Sequence, residues 1–261
     1  MNGLFRLKSF VSYFFTSKGI NNMHSPFVYD FMQQVLYDTR TFYAYTEIEN
    51  VRKKLLRSRQ RISFIDYGAG RTSDLPAKKM LSSILKKSSK PPQQAQLLFR
   101  IACHYKCAKI IELGTNMGIS AMYLASSGAN TKVVTIEGAK ELAEIARTNA
   151  TTLGMQNIEI LADTFENALP LALQKFGKTD LVYFDGNHRK EATLAYFYQV
   201  LPHLHEKSIL VFDDIYWSAQ MKEAWQEIRT NPDVTITIDL YHFGLVFFRK
   251  ELSNQHFTLR W

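Results

Sequence analysis

Acidic residues stand at the ends of successive short apolar runs in the C-terminal two thirds of the sequence. They are Glu112, Glu137, Asp163, Asp185 and Asp213. If the runs are strands of one parallel sheet, their carboxyl ends meet at the same edge, where ligands bind in such folds. Carboxylates gathered there can accept hydrogen bonds from amino and hydroxyl groups, or share a cation that relieves their repulsion. We therefore expect a ligand site at this edge.

The turn after the first run reads Glu-Leu-Gly-Thr-Asn-Met-Gly over residues 112–118. Gly114 and Gly118 would let the backbone approach a ligand, and the helix that follows would direct its first N–H groups at it. Glu112 would accept from an amino group of the ligand, and Glu137 would accept from ribose hydroxyls.

The same turn lacks the three glycines that a dinucleotide pyrophosphate requires. An acid at the base of the turn suits a cationic sulfonium, so the turn favours S-adenosylmethionine (SAM) over a dinucleotide. An ordinary turn between strand and helix is the alternative. The predicted cofactor-binding residues are Glu112, Gly114, Thr115, Asn116, Gly118, Ser120, Glu137, Gly138, Asp163, Thr164 and Asp185. Of these, Asp163 and Thr164 would meet adenine or cap a helix, or do both.

A second glycine-rich turn, residues 66–70, matches the acid-x-Gly-x-Gly spelling better. No amphipathic helix follows it, and no strand with a terminal acid comes about 20 residues later. We therefore interpret it as a strand and a turn without a nucleotide.

The elements that must position these residues alternate in one rhythm. Apolar runs at 109–113, 132–136, 158–162, 181–184 and 208–212 are separated by helical patterns at 120–127, 140–153, 165–176 and 192–205. This rhythm predicts a Rossmann-like α/β fold with a parallel sheet and helices on both faces. After a helix at 217–230, the runs at 234–240 and 245–249 are joined by a short link, so we expect them to pair antiparallel.

Residues 92–98, 110–125, 135–137, 183–185 and 213–217 together resemble the catechol and caffeoyl-CoA O-methyltransferase group. The resemblance runs from about residue 88 to 248. It implies a class I SAM-dependent methyltransferase with a seven-stranded sheet. It also implies a division into a methyltransferase domain at 88–261 and a basic, mainly helical N-terminal extension at 1–87.

In that group a divalent metal is held where the fourth and fifth strands of the sheet end. The resemblance therefore implies that this protein binds Mg²⁺ or another divalent cation. The matching residues are Asp185, Asp213 and Asp214. Such a metal would lower the pKa of a substrate hydroxyl. Asp214 stands where the group has Asn, and His188 stands where it has a catalytic Lys. A Gly-Asn-His turn is instead similar to metal-dependent sugar O-methyltransferases, which implies that His188 is the general base beside Asp185.

Each of these residues has a structural alternative. His188 could orient its loop, and Asp213 and Asp214 could be turn residues. Tyr216 and Trp217 could wall the acceptor pocket, as the matching aromatic residue does in the group, or pack in the core.

Charge is divided unevenly along the chain. Residues 1–100 carry 17 Lys/Arg and 6 Asp/Glu, a net of +11, whereas the remainder carries 15 and 18, a net of −3. A basic N-terminal third could contact an anionic membrane surface, nucleic acid or an acidic substrate, or simply be solvated. Two cysteines and no apolar run of about 20 residues predict a cytoplasmic protein without a transmembrane segment. A homodimer is also expected.

The leading hypothesis is methyl transfer from SAM to a hydroxyl oxygen of a small molecule, with metal assistance. An RNA, protein or lipid-linked acceptor is the runner-up, nucleic acid being the less favoured because no RNA-binding motif is present. A non-catalytic SAM-binding module is the third hypothesis, because a fold alone does not fix function.

Overall fold

A computed structural model describes residues 2–65, 67 and 75–261. The helices are α1 (Asn2–Thr16), α2 (Pro26–Phe31), α3 (Tyr43–Arg57), α4 (Leu81–Ser88), α5 (Pro92–His104), α6 (Ile119–Ala125), α7 (Lys140–Thr152), α8 (Phe165–Phe176), α9 (Lys190–Val200) and α10 (Ala219–Arg229). Short 3₁₀ turns occur at Ile20–Asn22 and Leu201–His203, and α2 continues into a π-helical turn at Met32–Leu36.

The strands are β1 (Arg61–Phe64), β2 (Ala77–Met80), β3 (Lys109–Leu113), β4 (Lys132–Ile136), β5 (Ile158–Leu161), β6 (Leu181–Phe184), β7 (Ile209–Asp213), β8 (Ile236–Asp239), β9 (Phe243–Phe247) and β10 (Gln255–Thr258). Eight of them form one sheet in the order β10-β8-β9-β7-β6-β3-β4-β5. Strands β3 to β7 are parallel, and β9 is antiparallel to both β7 and β8. The predicted five parallel strands with an antiparallel pair are confirmed.

All seven predicted strands are present, and β10 adds an eighth strand, parallel to β8, at the edge of the sheet. Its sequence, Gln-His-Phe-Thr, is short and half polar, which is typical of an edge strand and gives little apolar signal. A separate antiparallel pair, β1 and β2, lies in the N-terminal region. The strand predicted before the second glycine-rich turn is therefore confirmed as β1, while residues 66 and 68–70 of that turn lie outside the described residues.

The central strands are mostly apolar and buried because both faces of the sheet are covered. One face packs in a core with α5 and also with Val28 and Phe31 of α2, both fully buried. The other face packs against α8, α9 and α10. Residues from the N-terminal 87 therefore complete a core of the sheet.

The N-terminal helix α1 lies against the C-terminus. The Tyr13 hydroxyl donates to the Leu259 carbonyl at 2.6 Å, and the Lys18 amide donates to the Thr258 carbonyl at 2.9 Å. Among the described residues, no helix combines the length and apolar character needed to cross a bilayer.

Candidate active site

The turn between β3 and α6 depends on two glycines with left-handed backbone. Gly114 has φ +107°, and a Cβ there would lie 2.1 Å from the Asp185 carbonyl oxygen. Gly118 has φ +85°, and its Cβ would meet the Cβ of Ala146 at 3.1 Å. The close neighbours are thus protein atoms, so the packing of the turn against β6 and α7 itself requires glycine, in addition to any approach of a ligand.

Glu112 ends β3 in a fully buried position. Its Oε2 accepts from the Thr135 hydroxyl at 2.5 Å, and Ser120 also donates to the carboxylate. Its Oε1 is buried without a hydrogen-bond partner among the described residues. Burial raises the pKa of Glu112 to about 7, partly offset by the Ser120 and Thr135 hydrogen bonds. A buried, unpaired acceptor oxygen fits the cationic amino group of a ligand.

Glu137 follows β4 and braces the turn from the neighbouring strand. Its Oε2 accepts from the Asn116 amide at 2.7 Å, and its Oε1 accepts from the Ala139 amide at 3.0 Å. Asn116 has φ +50°, and its Nδ2 donates to the Ser88 hydroxyl at 2.7 Å. The Asn116 Oδ1 is a second buried oxygen without a partner in the described part of the chain. The hydrogen bond between Asn116 and Glu137 therefore joins two of the predicted cofactor-binding residues.

Thr115 belongs to the same turn, and Gly138 follows Glu137 after β4. The Thr115 and Thr135 hydroxyls are 2.6 Å apart, behind the turn. A Cβ at Gly138 would lie 2.9 Å from the Tyr67 ring. Tyr67 belongs to the second glycine-rich turn, which the sequence did not connect with this site.

Asp163 is exposed just before α8. Its Oδ1 accepts from the Thr164 amide at 2.7 Å and from Asn167 Nδ2 at 3.0 Å. The Asn167 hydrogen bond and then the Thr164 amide lower the pKa of Asp163. The N-cap residue of α8 is Thr164, whose side chain makes no capping hydrogen bond, so Asp163 is held to the first turn of α8 through the Asn167 side chain. The contact with adenine stays a prediction.

Two of the three aspartates predicted to bind metal come together with the predicted base. Ligand atoms of Asp185, His188 and Asp213 all lie within 4.8 Å of one another, at the ends of β6 and β7. Asp214 is not a member of this group; it has φ +50°, and its amide donates to the His242 carbonyl at 2.8 Å. The site therefore unites two carboxylates and one imidazole.

Lys90, which the sequence did not single out, lies between the two carboxylates. Its ammonium is 3.4 Å from Asp185 Oδ1 and forms a hydrogen-bonded ion pair with Asp213 Oδ2. The Lys90 side chain is 13% exposed, and that of Asp213 is fully buried. Burial disfavours the charged ammonium, but the charges of Asp185, Asp213 and Asp214, with the hydrogen bond to Asp213, outweigh it and raise the pKa of Lys90 above its ordinary value.

Aromatic and basic groups lie beside the cluster. The rings of His188 and Trp217 have centroids 6.1 Å apart, and the Arg6 guanidinium lies 4.9 Å from the Trp217 ring. Tyr216 instead donates to Asp239 at 2.5 Å and stacks on Tyr241 at 5.4 Å. Trp217 thus lies beside the predicted base, whereas the contacts of Tyr216 favour a packing role.

His242 also faces this cluster and was missed by the sequence analysis. Burial lowers the pKa of His242, with the charges of Lys90 and Arg6 adding to the effect and Asp214 opposing it. His242 lies in the link between β8 and β9, where the sequence has no recognisable motif, so only the folded structure shows that it is near the cluster.

Comparisons with known proteins agree with this geometry. Residues 111–215 match the family model described as a methyltransferase domain. No curated protein matches the sequence. The cofactor-bound crystal structure of Rv0187 from MTB is 19% identical, with a TM-score of 0.58, covering 87% of this chain and 99% of that one.

Two further solved structures are similar over most of their length. The O-methyltransferase TomG from Streptomyces achromogenes, involved in tomaymycin synthesis and in complex with SAM, is 19% identical with a TM-score of 0.57, over 85% of this chain and 95% of that one. An O-methyltransferase from Bacillus cereus in complex with SAH is 17% identical with a TM-score of 0.58, over 84% and 96%.

The sheet order, the turn after β3 and these similarities define the fold of class I SAM-dependent methyltransferases. Within that fold, the matched segment from β3 to the end of β7 is a methyltransferase domain, and the chain is a methyltransferase.

Proposed function

We propose that the protein transfers a methyl group from SAM to a hydroxyl oxygen of a small molecule. The observation that carries this proposal is the pairing of two sites along one sheet edge. The first is the turn at residues 112–118 with its unpaired Glu112 oxygen, and the second is the cluster of Asp185, His188 and Asp213. The SAM-bound and SAH-bound O-methyltransferases of the same fold support it.

The residues of the turn fit SAM without further change. Glu112 Oε1 and Asn116 Oδ1 are unpaired acceptors for the amino group of its methionine part. Glu137, after β4, would accept from the ribose hydroxyls, and Asp163 and Thr164, just before α8, would hold adenine.

The chemistry at the second site requires a base and close positioning. When bound, SAM supplies the methyl group, and its sulfur keeps the electron pair of the broken S–C bond. His188 removes the proton of the acceptor hydroxyl while the new O–C bond forms. Asp185 fixes the position of the acceptor, and Trp217 excludes water from the reacting atoms. Residues of the N-terminal region, such as Arg6 beside Trp217, would select the acceptor.

A divalent cation is the second candidate for the positive charge at this cluster. Asp185, His188 and Asp213 would offer it three ligand atoms, and Asp214 a fourth after a movement of its loop. However, the Lys90 ammonium already contacts both Asp185 and Asp213. A divalent ion does not fit between these carboxylates while Lys90 is there, so no step is assigned to it.

Calorimetric titration of the purified protein with SAM tests the cofactor. We expect saturable 1:1 binding in the micromolar range whose affinity rises about threefold to fivefold between pH 6 and pH 7. The reason is that the pKa of Glu112 is raised to about 7 by burial, and the cationic amino group favours the ionised carboxylate. Binding therefore releases a proton below pH 7, and the rise levels off above it.

The Glu112→Gln variant should lose this pH dependence, and Glu159→Gln, on the partly exposed face of β5, is the matched control. No saturable binding of SAM would refute the proposal. Binding without release of SAH from SAM, across a broad panel of hydroxylated acceptors, would instead favour the non-catalytic SAM-binding module.

A lipid-linked acceptor is the second candidate, and helix α1 favours it. One face of α1 contacts the protein through Ser9 and Tyr13, both buried. The other face exposes apolar side chains at helical spacing, namely Leu4, Leu7, Val11, Phe14 and Phe15. The helix carries Arg6 and Lys8 and no acidic residue, which is the pattern of helices that lie on anionic membranes. Because Arg6 contacts Trp217, a membrane bound here would adjoin the acceptor side.

Co-sedimentation with vesicles tests this role of α1. We expect binding to vesicles of 30% phosphatidylserine and much weaker binding to pure phosphatidylcholine. Leu7→Ser combined with Phe15→Ser should reduce binding at least about tenfold, because two apolar side chains that would enter the bilayer are lost. Leu171→Ser, at an exposed site on α8, is the control. Equal binding to neutral vesicles would contradict the electrostatic attraction of α1 to anionic lipid. No binding to either kind of vesicle would refute the membrane-binding role of α1.

Nucleic acid stays the less favoured acceptor. The homodimer, the cytoplasmic location and the division of the chain at residue 87 stay predictions.

A further inference from the structure

We infer that Lys90 is the resident cation of the active site, standing where the resemblance assigns a divalent metal, and that methyl transfer by this protein needs no metal ion. The inference rests on the proposed function of the cluster. It goes beyond it by assigning a catalytic role to a residue outside the matched methyltransferase segment.

The first observation is the position of the ammonium. Lys90 Nζ contacts Asp213 Oδ2 and lies 3.4 Å from Asp185 Oδ1, so one positive charge is shared by the two carboxylates. Asp213 is fully buried and would be expensive to keep ionised alone. The ammonium thus performs the charge balance that would otherwise require a cation from solution.

The second observation is that the backbone of Lys90 is clamped. Arg52, buried in α3, donates through Nη1 to the Lys90 carbonyl at 2.8 Å and to the Ser89 hydroxyl at 2.9 Å. Its Nε donates to Glu49 at 2.9 Å, and Glu49 accepts from the Tyr123 hydroxyl at 3.0 Å. This chain of hydrogen bonds runs from α6 through α3 to the loop before α5, and a network of this kind fixes a side chain in place.

Proline restricts the same loop from the other side. Lys90 precedes Pro91 and Pro92, which begin α5, and a residue before proline is confined to extended backbone. A lysine that merely reached into the site from a mobile loop would have neither restraint. The backbone of Lys90 is therefore held so that its ammonium group stays at the two carboxylates.

The role of Lys90 follows from its three N–H donors. One is donated to Asp213, and the Asp185 carboxylate lies 3.4 Å away as an ion-pair partner. We infer that another of the three is donated to the oxygen of an acceptor held beside them. As His188 takes the hydroxyl proton, negative charge develops on that oxygen, and the fixed ammonium stabilises it. Lys90 keeps its protons throughout. The reaction breaks the S–C bond of SAM, forms the O–C bond of the product and moves the hydroxyl proton to His188, so all atoms and charges are accounted for.

Binding of Mn²⁺ alone, followed by electron paramagnetic resonance of the free ion, tests the inference on the full-length protein. We expect the wild-type protein to bind no stoichiometric Mn²⁺ up to about 1 mM. Lys90→Ala should bind one Mn²⁺ at least about tenfold more tightly, because it frees the carboxylates. Adding Asp213→Asn to that variant should abolish the gain, and Lys87→Ala, an exposed lysine of α4, should behave as the wild type.

Stability measurements keep the test interpretable. Lys90→Ala leaves Asp213 without its partner and should lower Tm by roughly 6–12 °C, whereas Lys90→Met with Asp213→Asn, a neutral pair, should recover most of that loss. If Lys90→Ala fails to fold, the same Mn²⁺ titration on the wild type and on Asp213→Asn decides the question alone.

Tight Mn²⁺ binding by the wild-type protein that Asp213→Asn removes would overturn the inference, as would a folded Lys90→Ala variant with no gain in binding. EDTA should leave release of SAH unchanged with any acceptor that turns over, and a loss of activity would equally overturn it. SAM calorimetry on the same samples separates the two proposals. Absence of SAM binding refutes the proposed function, whereas SAM binding with a wild-type Mn²⁺ site refutes only the role of Lys90.

Discussion

Replacing His188 by glutamine is expected to lower kcat by about 10²- to 10⁴-fold, the usual contribution of a positioned general base. His188 lies within 4.8 Å of the Asp185 and Asp213 carboxylates and beside Trp217. Glutamine keeps a polar side chain of similar length but accepts no proton at neutral pH. The affinity for SAM, measured by calorimetry, should stay within about twofold, because no residue of the turn at 112–118 is changed.

Release of SAH, measured with an acceptor identified from a panel of hydroxylated small molecules, provides kcat. His24→Gln, at an exposed histidine far along the chain from the cluster, is the matched control and should leave kcat unchanged. A loss below about threefold in His188→Gln would contradict the role of base. If His242→Gln then showed the large loss, the role would pass to that second histidine, whose pKa burial lowers.

Replacing Gly114 by alanine should cost at least about 3 kcal/mol of unfolding free energy and lower Tm by roughly 6–12 °C. Two effects add at this position. The backbone has φ +107°, which alanine adopts only with strain, and the new Cβ would lie 2.1 Å from the Asp185 carbonyl oxygen. One of the two strands must therefore shift. Since Asp185 belongs to the reacting cluster, we also expect SAM affinity to fall by more than about tenfold.

Gly154→Ala separates strain from crowding. Gly154 also has a left-handed backbone, with φ +67°, but nothing lies within 4 Å of a Cβ placed there. It should cost only about 1 kcal/mol, the price of the conformation alone. Urea unfolding of the two variants, with SAM calorimetry on each, makes the comparison. Equal losses in the two variants would show that the contact with β6 contributes nothing.

Much of the sheet could be predicted from local pattern. The predicted and observed bounds of β3, β4 and β6 coincide, because a strand covered on both faces is a mostly apolar run of residues. Strand β10 and helix α4 were missed, since short and half-polar segments owe their structure to the sheet edge or the helix they pack on.

The candidate cofactor site could also be predicted, because its residues follow one another along a single turn and the next strand end. Glu112, Gly114 and Glu137 are each at an element boundary that the pattern marks. The reason for Gly114 could not be predicted, since its contact is with Asp185, 71 positions later in the chain.

What the sequence by itself determined is the order of the strands' acidic ends, the glycine turn and the class of fold, because these depend on periodicity and spacing along the chain. What only the tertiary structure decided is the content of the reacting cluster. Lys90, in a loop that reads as a simple Pro-rich break, meets Asp213 across 123 positions, and Asp214, adjacent to Asp213, stays outside the cluster. The physical reason is that charge balance among buried groups is a property of distance in space, and no local pattern records which distant cation will fill a pair of carboxylates.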